Sequence, residues 1–332
     1  MNCACRAEGS PTAAVSVFSS REDVDTLMAS VTAAIDAVQA LAGEVDVLVN
    51  GNRALADACA VRMAGSLRGG REATHVRLWF IPLGDKAHTW NTYVHQLWPS
   101  AATSFFIDGY AVVEPSSLSL MHKLLAASSE ALAASAVPSV GASAPRLKAE
   151  MLSRGGLHGN LYALRGQAME RIRERGFRLP LGLYRTDAVL GAAICFGLDP
   201  ANHGWNRQRI TVHPEATWRF EPLHWWRPSD LLSHARRSVR QEQGVLENLA
   251  VRRHFDERRL PCESLPRSAL ELIDDWMVTD SAKAAALMRR RPLARVALNQ
   301  LRRRGDWSLA SAPPVLVWRS HSQAEKGLAT EE

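Results

Sequence analysis

Apolar residues in the first half of the chain arrive in short unbroken runs, each closed by polar or glycine-containing punctuation and followed by a helical period. "AVSVF" (14–18) reads as a strand ended by Ser19 and Ser20. Ser20 with Asp23 three positions on has the form of a capping box, and Val24, Leu27, Met28, Val31, Ile35, Val38 and Leu41 then recur at helical spacing. "VDVLVNGN" (46–52) repeats the unit, with an Asn50-Gly51-Asn52 turn and a helix over 54–63. "HVRLWFIPLG" (75–84) supplies a third strand, and "DKAHTWNTYVHQLW" a third helix with Trp90, Val94 and Leu97 on one face. "SFFID" is the fourth strand. Strands alternating with helices predict an α/β layered sheet. Unbroken apolar strands suit a mostly parallel sheet covered on both faces, and such sheets bind ligands beyond the carboxyl ends of their strands. Asp108, closing "SFFID" ahead of Gly109 and Tyr110, is therefore expected to face a ligand.

In the second half, a helix is expected at roughly 116–128, and then "ALAASAVPSVGASAPR", which reads as a linker, a mobile loop or a weak edge strand. "GGLHGNLYALRGQAMERIRERG" gives a loop, a short strand and a helix, and "YRTDAVLGAAICFGLD" a helix beginning near Thr186. "RITVHPEATWRF" alternates as a strand, and the chain from 228 to about 255 reads as helix, with further helices to about 299. A short strand or coil is expected around "PPVLVW", then a disordered end. The organisation expected is an N-terminal tail (1–13), a catalytic domain (14–225), a basic helical region (226–305) and a terminal strand and tail (306–332). There is no internal repeat, no G-x-G-x-x-G after the first strand, no G-x-x-x-x-G-K-[ST] and no G-x-S-x-G.

Composition adds the class of protein. With 332 residues, 46% hydrophobic and 22% charged, the chain is of ordinary globular type. No uninterrupted apolar run reaches the roughly 20 residues of a bilayer span, and "MNCACRAEGSPTAA" lacks a secretory apolar run, so a cytoplasmic location is expected. Five cysteines without framework spacing agree with a reducing compartment, and Cys3 and Cys5 are given no role. A formal charge of +6 points to an anionic partner. Arginines concentrate in "RRSVRQEQG", "VRRHFDERR" and "MRRRPLARVALNQLRRRGDW", which fits nucleotide phosphates, anionic lipid, nucleic acid or a solvated face alike. The pattern around Pro292 is that of a basic amphipathic segment able to lie on an anionic bilayer, each Arg there contributing about 1 kcal/mol.

The ordered series "VSVFSSRED", "VDVLVNGN", "PLGDKAHTWN", "FFIDGYAVVEPSSL", "GGLHGNLYALR" and "LYRTDAVLGAAICFG" resembles the family 2 glycosyltransferases over roughly residues 14–245. The resemblance implies a GT-A-like fold: a mostly parallel nucleotide-sugar-binding sheet flanked by helices, here with a helical C-terminal extension. It implies that Ser19, Glu22 and Asp23 hold the nucleotide's base and ribose, that Asn50 stands where the family has a base-binding aspartate, and that Lys86 and Asn91 support the donor. Asp108 matches the first acid of the family's D-x-D pattern, which implies a diphosphate contact or a bound Mg²⁺ or Mn²⁺. Tyr110 takes the place of the second acid, and a phenol is a poor ligand for a hard cation. Asp187 of "YRTD" falls at the family's base position, with Thr186 in place of the usual preceding acid. Arg236, Arg237, Arg240 and Gln241 fall where the family carries an Arg-rich helix near diphosphate and acceptor. Among Trp205, Trp218, Trp225 and Trp226, with His224 beside them, flat rings suit a sugar face, a membrane interface or simple core packing; Trp225 and Trp226 are assigned, with Arg236, Arg240 and Gln241, to the diphosphate or acceptor.

The activity implied is inverting transfer of a sugar from a nucleotide-diphosphate sugar, with a UDP-sugar as candidate, to a hydroxyl of a saccharide or lipid-linked acceptor. A peripheral place on an anionic membrane surface goes with it, and nucleic acid is not an expected partner. Two rivals remain: a nucleotidyltransferase of similar architecture, opposed by the glycine-poor "FSSREDVD", and a non-catalytic scaffold of the same fold, favoured by Tyr110 and Asn50.

Overall fold

The computed structural model describes residues 11–66, 74–220, 228–303 and 305–320, and the backbone alone over 228–236. Nine strands make one sheet: β1 (Ala13–Ser19), β2 (Glu44–Asn50), β3 (Val76–Ile81), β4 (Thr103–Asp108), β5 (Val112–Val113), β6 (Ala133–Pro138), β7 (Leu161–Arg165), β8 (Ile210–Arg219) and β9 (Val315–Arg319), in the order β5-β8-β6-β7-β4-β1-β2-β3-β9. β1 runs parallel to β2 and β4, and β2 to β3; β7 is antiparallel to both β4 and β6, and β8 is parallel to β6. Six strands thus share one direction, and only β5, β7 and β9 oppose it. This is the mostly parallel α/β sheet that the unbroken apolar runs predict.

The helices are α1 (Val24–Val38), α2 (Arg53–Ser66), α3 (Lys86–Thr92), α4 (Ser117–Ala127), α5 (Ala144–Arg154), α6 (Gly166–Glu174), α7 (Thr186–Cys195), α8 (Pro228–Arg252), α9 (Ala269–Thr279), α10 (Ser281–Arg290) and α11 (Pro292–Arg303). By length and composition the segment Val24–Leu41 could cross a membrane (mean hydropathy 1.3). Leu27, Val31, Ile35 and Val38 are nevertheless buried against the sheet, which makes α1 the core helix of the first βα unit. Its cap differs from the expected Ser20–Asp23 box: Asp23 is itself the N-cap, accepting from Thr26 N at 2.7 Å and Thr26 Oγ1 at 3.0 Å. A carboxylate there also meets the positive end of the helix dipole.

The two cores follow from strand alternation. Phe105 and Ile107 of β4 face α1, α2 and α4, whereas Phe106 faces the layer that contains α7, α8 and α9. On that second face Phe106 stacks on Tyr162 with centroids 4.8 Å apart, and Trp90 donates to the Tyr162 hydroxyl at 3.0 Å. Leu246, Phe255, Leu272, Trp276 and Leu298 belong to the same cluster, so the basic helical region shares its core with the sheet. The one acid inside β2's apolar run, Asp46, is fully buried and gripped by Arg77 through Nε (2.8 Å) and Nη2 (2.9 Å), with Trp79 Nε1 at 2.8 Å. Burial without those donors would be prohibitive for a charged carboxylate.

The stretch "ALAASAVPSVGASAPR" is neither linker nor edge. Residues 133–138 form β6, every one of them buried between β7 and β8. Alanine and serine occupy it because α4 and α5 close down on this strand and leave no volume for larger side chains. The helix expected from Asp85 onward also changes character, ending at Thr92 and passing into a wider turn over Tyr93–Leu97.

Candidate functional site

The carboxyl ends of β1, β2 and β4 lie at one sheet edge, and parallel register brings Phe18 opposite Asp108 and Asn50 opposite Ile81. β7 runs the other way, so the chain entering it, His158-Gly159-Asn160, arrives at the same edge, where Asp108 N donates to Asn160 O at 3.3 Å. Position 109 has room only for glycine, because a Cβ there would lie 2.8 Å from Ser19 Cβ and 2.9 Å from Phe18 O.

Three of the residues singled out from sequence meet around Gly159. Lys86, in the first turn of α3, forms an ion pair with Asp108 Oδ1. Asp187, in the first turn of α7, accepts from Gly159 N at 3.1 Å. A methyl group placed on Gly159 would sit 3.5 Å from Lys86 Nζ and 3.7 Å from both Asp108 Oδ2 and Asp187 Cγ, so Asp187 and the Lys86–Asp108 pair lie on either hand of Gly159, each within van der Waals reach of it. Burial opposes the Lys86 charge, but Asp108, Asp187 and Glu22 more than offset it and hold the ammonium above its ordinary range.

Tyr110 completes the edge. Its hydroxyl lies 3.2 Å from Asp108 Oδ2 and 3.0 Å from Asn160 Oδ1. Burial, and then the Asp108 charge, push the phenol well above its usual pKa, so it stays protonated. His158, which the sequence reading quoted but did not assign, stacks on Trp218 at 4.8 Å. Its Nδ1 accepts from Asn160 N at 3.3 Å. Burial lowers its pKa against the pull of Asp187 and Asp108, which keeps the ring neutral near pH 7.

The remaining predicted residues sit in the walls. Glu22 Oε2 takes three donors, Ser19 Oγ (2.6 Å), Ser20 N (2.8 Å) and Arg21 N (3.0 Å), and so shapes the loop after β1. Asp23 is committed to capping α1. Asn50, buried, donates to Ser19 O at 3.0 Å. Asn91 is buried and spends its amide on one residue, donating to Leu179 O and accepting from Leu179 N, both at 2.8 Å. That double bond to backbone makes Asn91 a brace between α3 and the segment before α7.

Of the α8 arginines, Arg237 comes near this edge. Arg240 lies over the Tyr184 ring at 5.8 Å, its buried Nε without a hydrogen-bond partner among the described residues, and Arg237 is near enough to Tyr110 to oppose its pKa rise. Gln241 is exposed. The side chain of Arg236, together with Trp225, Trp226 and His224, lies outside the described residues. Trp218 is buried core, whereas Trp205 is exposed and edge-on to Phe196 at 5.4 Å.

α8 also fixes the approach to Asp187, through residues the sequence reading missed. Glu247 accepts from Tyr184 N (2.7 Å) and Arg185 N (3.0 Å), and Gln243 donates to Gly182 O (2.8 Å) and to Glu247 (2.7 Å). Burial raises the Glu247 pKa to about 7 despite those donors and the nearby Arg185 charge. Arg185 itself passes over Gly244, where a Cβ would be 2.8 Å from its Nε. A separate cavity of about 380 Å³, lined by His88, Gln96, Arg178 and Arg267, contains none of Lys86, Asp108 and Asp187.

Whether the edge could hold a divalent cation turns on its donors. Mg²⁺-type cations at phosphate sites take about six oxygens, one or two of them protein carboxylate and the rest substrate phosphate and water. Asp108 Oδ1 is paired with Lys86, Tyr110 offers a protonated phenol, and among the described residues no three His, Cys, Asp or Glu converge. With Asp108 paired to Lys86 and a phenol at the second position, the edge offers such an ion a poor protein donor set.

No family model matches the sequence, and no curated protein matches it. Solved structures do. The mannosyltransferase PcManGT from Pyrobaculum calidifontis, in complex with GDP-Man and Mn²⁺, is 16% identical with a TM-score of 0.54, covering 91% of this chain and 88% of that one. Glucosyl-3-phosphoglycerate synthase from Mycobacterium tuberculosis, with Mn²⁺, UDP-glucose and phosphoglyceric acid, is 14% identical with a TM-score of 0.47, covering 72% of this chain and 79% of that one. The likeness to the mannosyltransferase spans sheet and C-terminal helices alike, and with it this chain has the nucleotide-diphospho-sugar transferase, or GT-A, fold.

Proposed function

We propose that the chain is an inverting glycosyltransferase that moves a sugar from a nucleotide-diphosphate sugar to an acceptor hydroxyl. The observation that carries this reading is the placement of Asp187 one residue's width from the Lys86–Asp108 pair, across Gly159, at the ligand-binding edge of the sheet. In the reaction the acceptor oxygen attacks the anomeric carbon. The bond from that carbon to the diphosphate oxygen breaks, its electron pair leaving with the phosphate, and the acceptor's proton passes to the Asp187 carboxylate. A positioned base of this kind contributes about 10²–10⁴-fold. Lys86 with Arg237 and Arg240 would meet the charge growing on the leaving group. The fold's solved relative carries GDP-Man, which supports a nucleotide-sugar donor without naming its base here.

The test is Asp187→Asn assayed against UDP-, GDP-, dTDP- and CDP-sugars. Transfer should fall about 10²–10⁴-fold while donor binding, followed by thermal stabilisation, is retained. Full activity in that variant removes Asp187 from the mechanism. A scaffold reading draws on the closed Lys86–Asp108–Tyr110 network, and it predicts donor binding with no turnover even in the unaltered chain.

We infer further that the acceptor is a saccharide or lipid-linked intermediate reached at an anionic membrane surface. Supporting this, α10 and α11 expose Arg289, Arg290 and Arg295 beside Leu293 and Val296.

A further inference from the structure

We propose that the diphosphate is bound by an ammonium and not by a divalent cation: Lys86, held on Asp108, meets the leaving phosphates together with Arg240 and Arg237 of α8. This rests on the transferase reading and deepens it. In the resemblance drawn from sequence, Asp108 is the first of two acids that would hold a metal, yet the second position is Tyr110. Asp108 Oδ1 is taken by Lys86, and the Tyr110 hydroxyl lies 3.2 Å from Oδ2 and 3.0 Å from Asn160 Oδ1, so the second position presents a one-proton donor where a metal site needs an acceptor.

The charge placed there suits a phosphate. An ammonium has three donors and no acceptor, so Lys86 can keep Asp108 as one partner and offer the other two to diphosphate oxygens. Asp108 then acts as the holder of the cation. The same edge carries Asp187, and Glu22 is near enough to act on Lys86, so carboxylates outnumber the ammonium and an incoming diphosphate needs further positive charge. Arg240 supplies it from α8 with a buried Nε that has no hydrogen-bond partner among the described residues, an arrangement that costs free energy until an acceptor arrives. Arg237 lies on the same helix near Tyr110.

The experiment measures binding of UDP, GDP, dTDP and CDP to the full chain by calorimetry, in EDTA and in Mn²⁺, for the native protein and for Lys86→Met and Tyr110→Asp. Free Mn²⁺ is followed separately by electron paramagnetic resonance. The expected result is one preferred diphosphate whose affinity is the same within about twofold in EDTA and Mn²⁺, and at least about tenfold weaker in Lys86→Met, equal to about 1.4 kcal/mol. Tyr110→Asp should acquire a Mn²⁺ signal loss absent from the native protein. Binding abolished by EDTA and restored by Mn²⁺ overturns the inference while leaving the transferase reading intact. Absence of binding in every arm overturns both. The EDTA comparison needs only the native chain, so a misfolded variant cannot rescue the idea.

Discussion

At the scale of single residues, Gly159 decides how close the charges of the site can come. Its backbone lies outside the left-handed region, and a methyl group on it would make only ordinary contacts of 3.5–3.7 Å with Lys86, Asp108 and Asp187. Gly159→Ala should therefore leave the denaturation midpoint nearly unchanged, within about 1 kcal/mol. The methyl would fill the gap in which donor and acceptor must meet, and a displacement of that size costs about 10²-fold in rate. Initial rates beside a denaturation curve check both halves, and a fully active Ala variant would place the reacting atoms elsewhere. Asp108 was legible in sequence from its place at a strand end, Lys86 and Asp187 from the family resemblance, and the structure brings the three together. Gly159 and His158 were not legible, since a loop residue's neighbours depend on the antiparallel entry into β7, which no local pattern reveals. Asn91 shows the opposite error: its type fits a donor contact, but its amide is consumed by Leu179 backbone groups 88 positions away.

At the scale of elements, α8 acts on α7 through Glu247, and the consequence can be read in pH. The folded-state pKa of Glu247 is raised to about 7 from an ordinary value of 4.5. The folded protein therefore holds a proton that the unfolded chain releases first, and stability falls as pH rises from about 4.5 to about 7, with a slope of up to about 1.4 kcal/mol per unit. His88, His95, His158 and His254 are all lowered by burial and act in the opposite sense, losing stability as pH falls below their ordinary value. The informative quantity is thus the difference between the native chain and Glu247→Gln, measured by chemical denaturation from pH 5 to 8. The native chain should lose stability relative to the variant across that range, and a constant difference would mean Glu247 does not titrate there. The variant should also transfer more slowly with donor affinity unchanged, because an amide cannot accept from both Tyr184 N and Arg185 N as the carboxylate does. Elements were legible where apolar runs were long, as in β1, β2 and β4, and illegible in β6, whose alanines imitate linker composition because α4 and α5 cover it closely.

At the scale of the whole molecule, the C-terminal third does two things that its arginine-rich sequence expressed only in part. It extends the sheet, because β9 pairs antiparallel with β3 as a further edge strand, and it completes the core through α8, α9 and α11. The amphipathic period of α11 was readable, yet its apolar side is divided: Ala294, Ala297, Leu298 and Leu301 are buried inside, whereas Leu293 and Val296 remain outside among arginines. Several of those arginines are already occupied, Arg291 by Glu242 at 2.9 Å and Arg302 by Asp274 at 3.6 Å. The outward group of Arg289, Arg290 and Arg295 is what an anionic bilayer would meet, at about 1 kcal/mol per side chain near the surface. Replacing these three with Gln should cut co-sedimentation with phosphatidylserine vesicles by about two orders of magnitude and leave transfer to a soluble acceptor unaltered. Binding by the native chain should weaken as salt rises, since exposed charges are screened over about 8 Å at physiological ionic strength. Vesicle binding that survives the triple replacement, or that ignores salt, would assign membrane contact to Leu293 and Val296 or to another face, and no vesicle binding by the native chain would leave these arginines as a solvated surface.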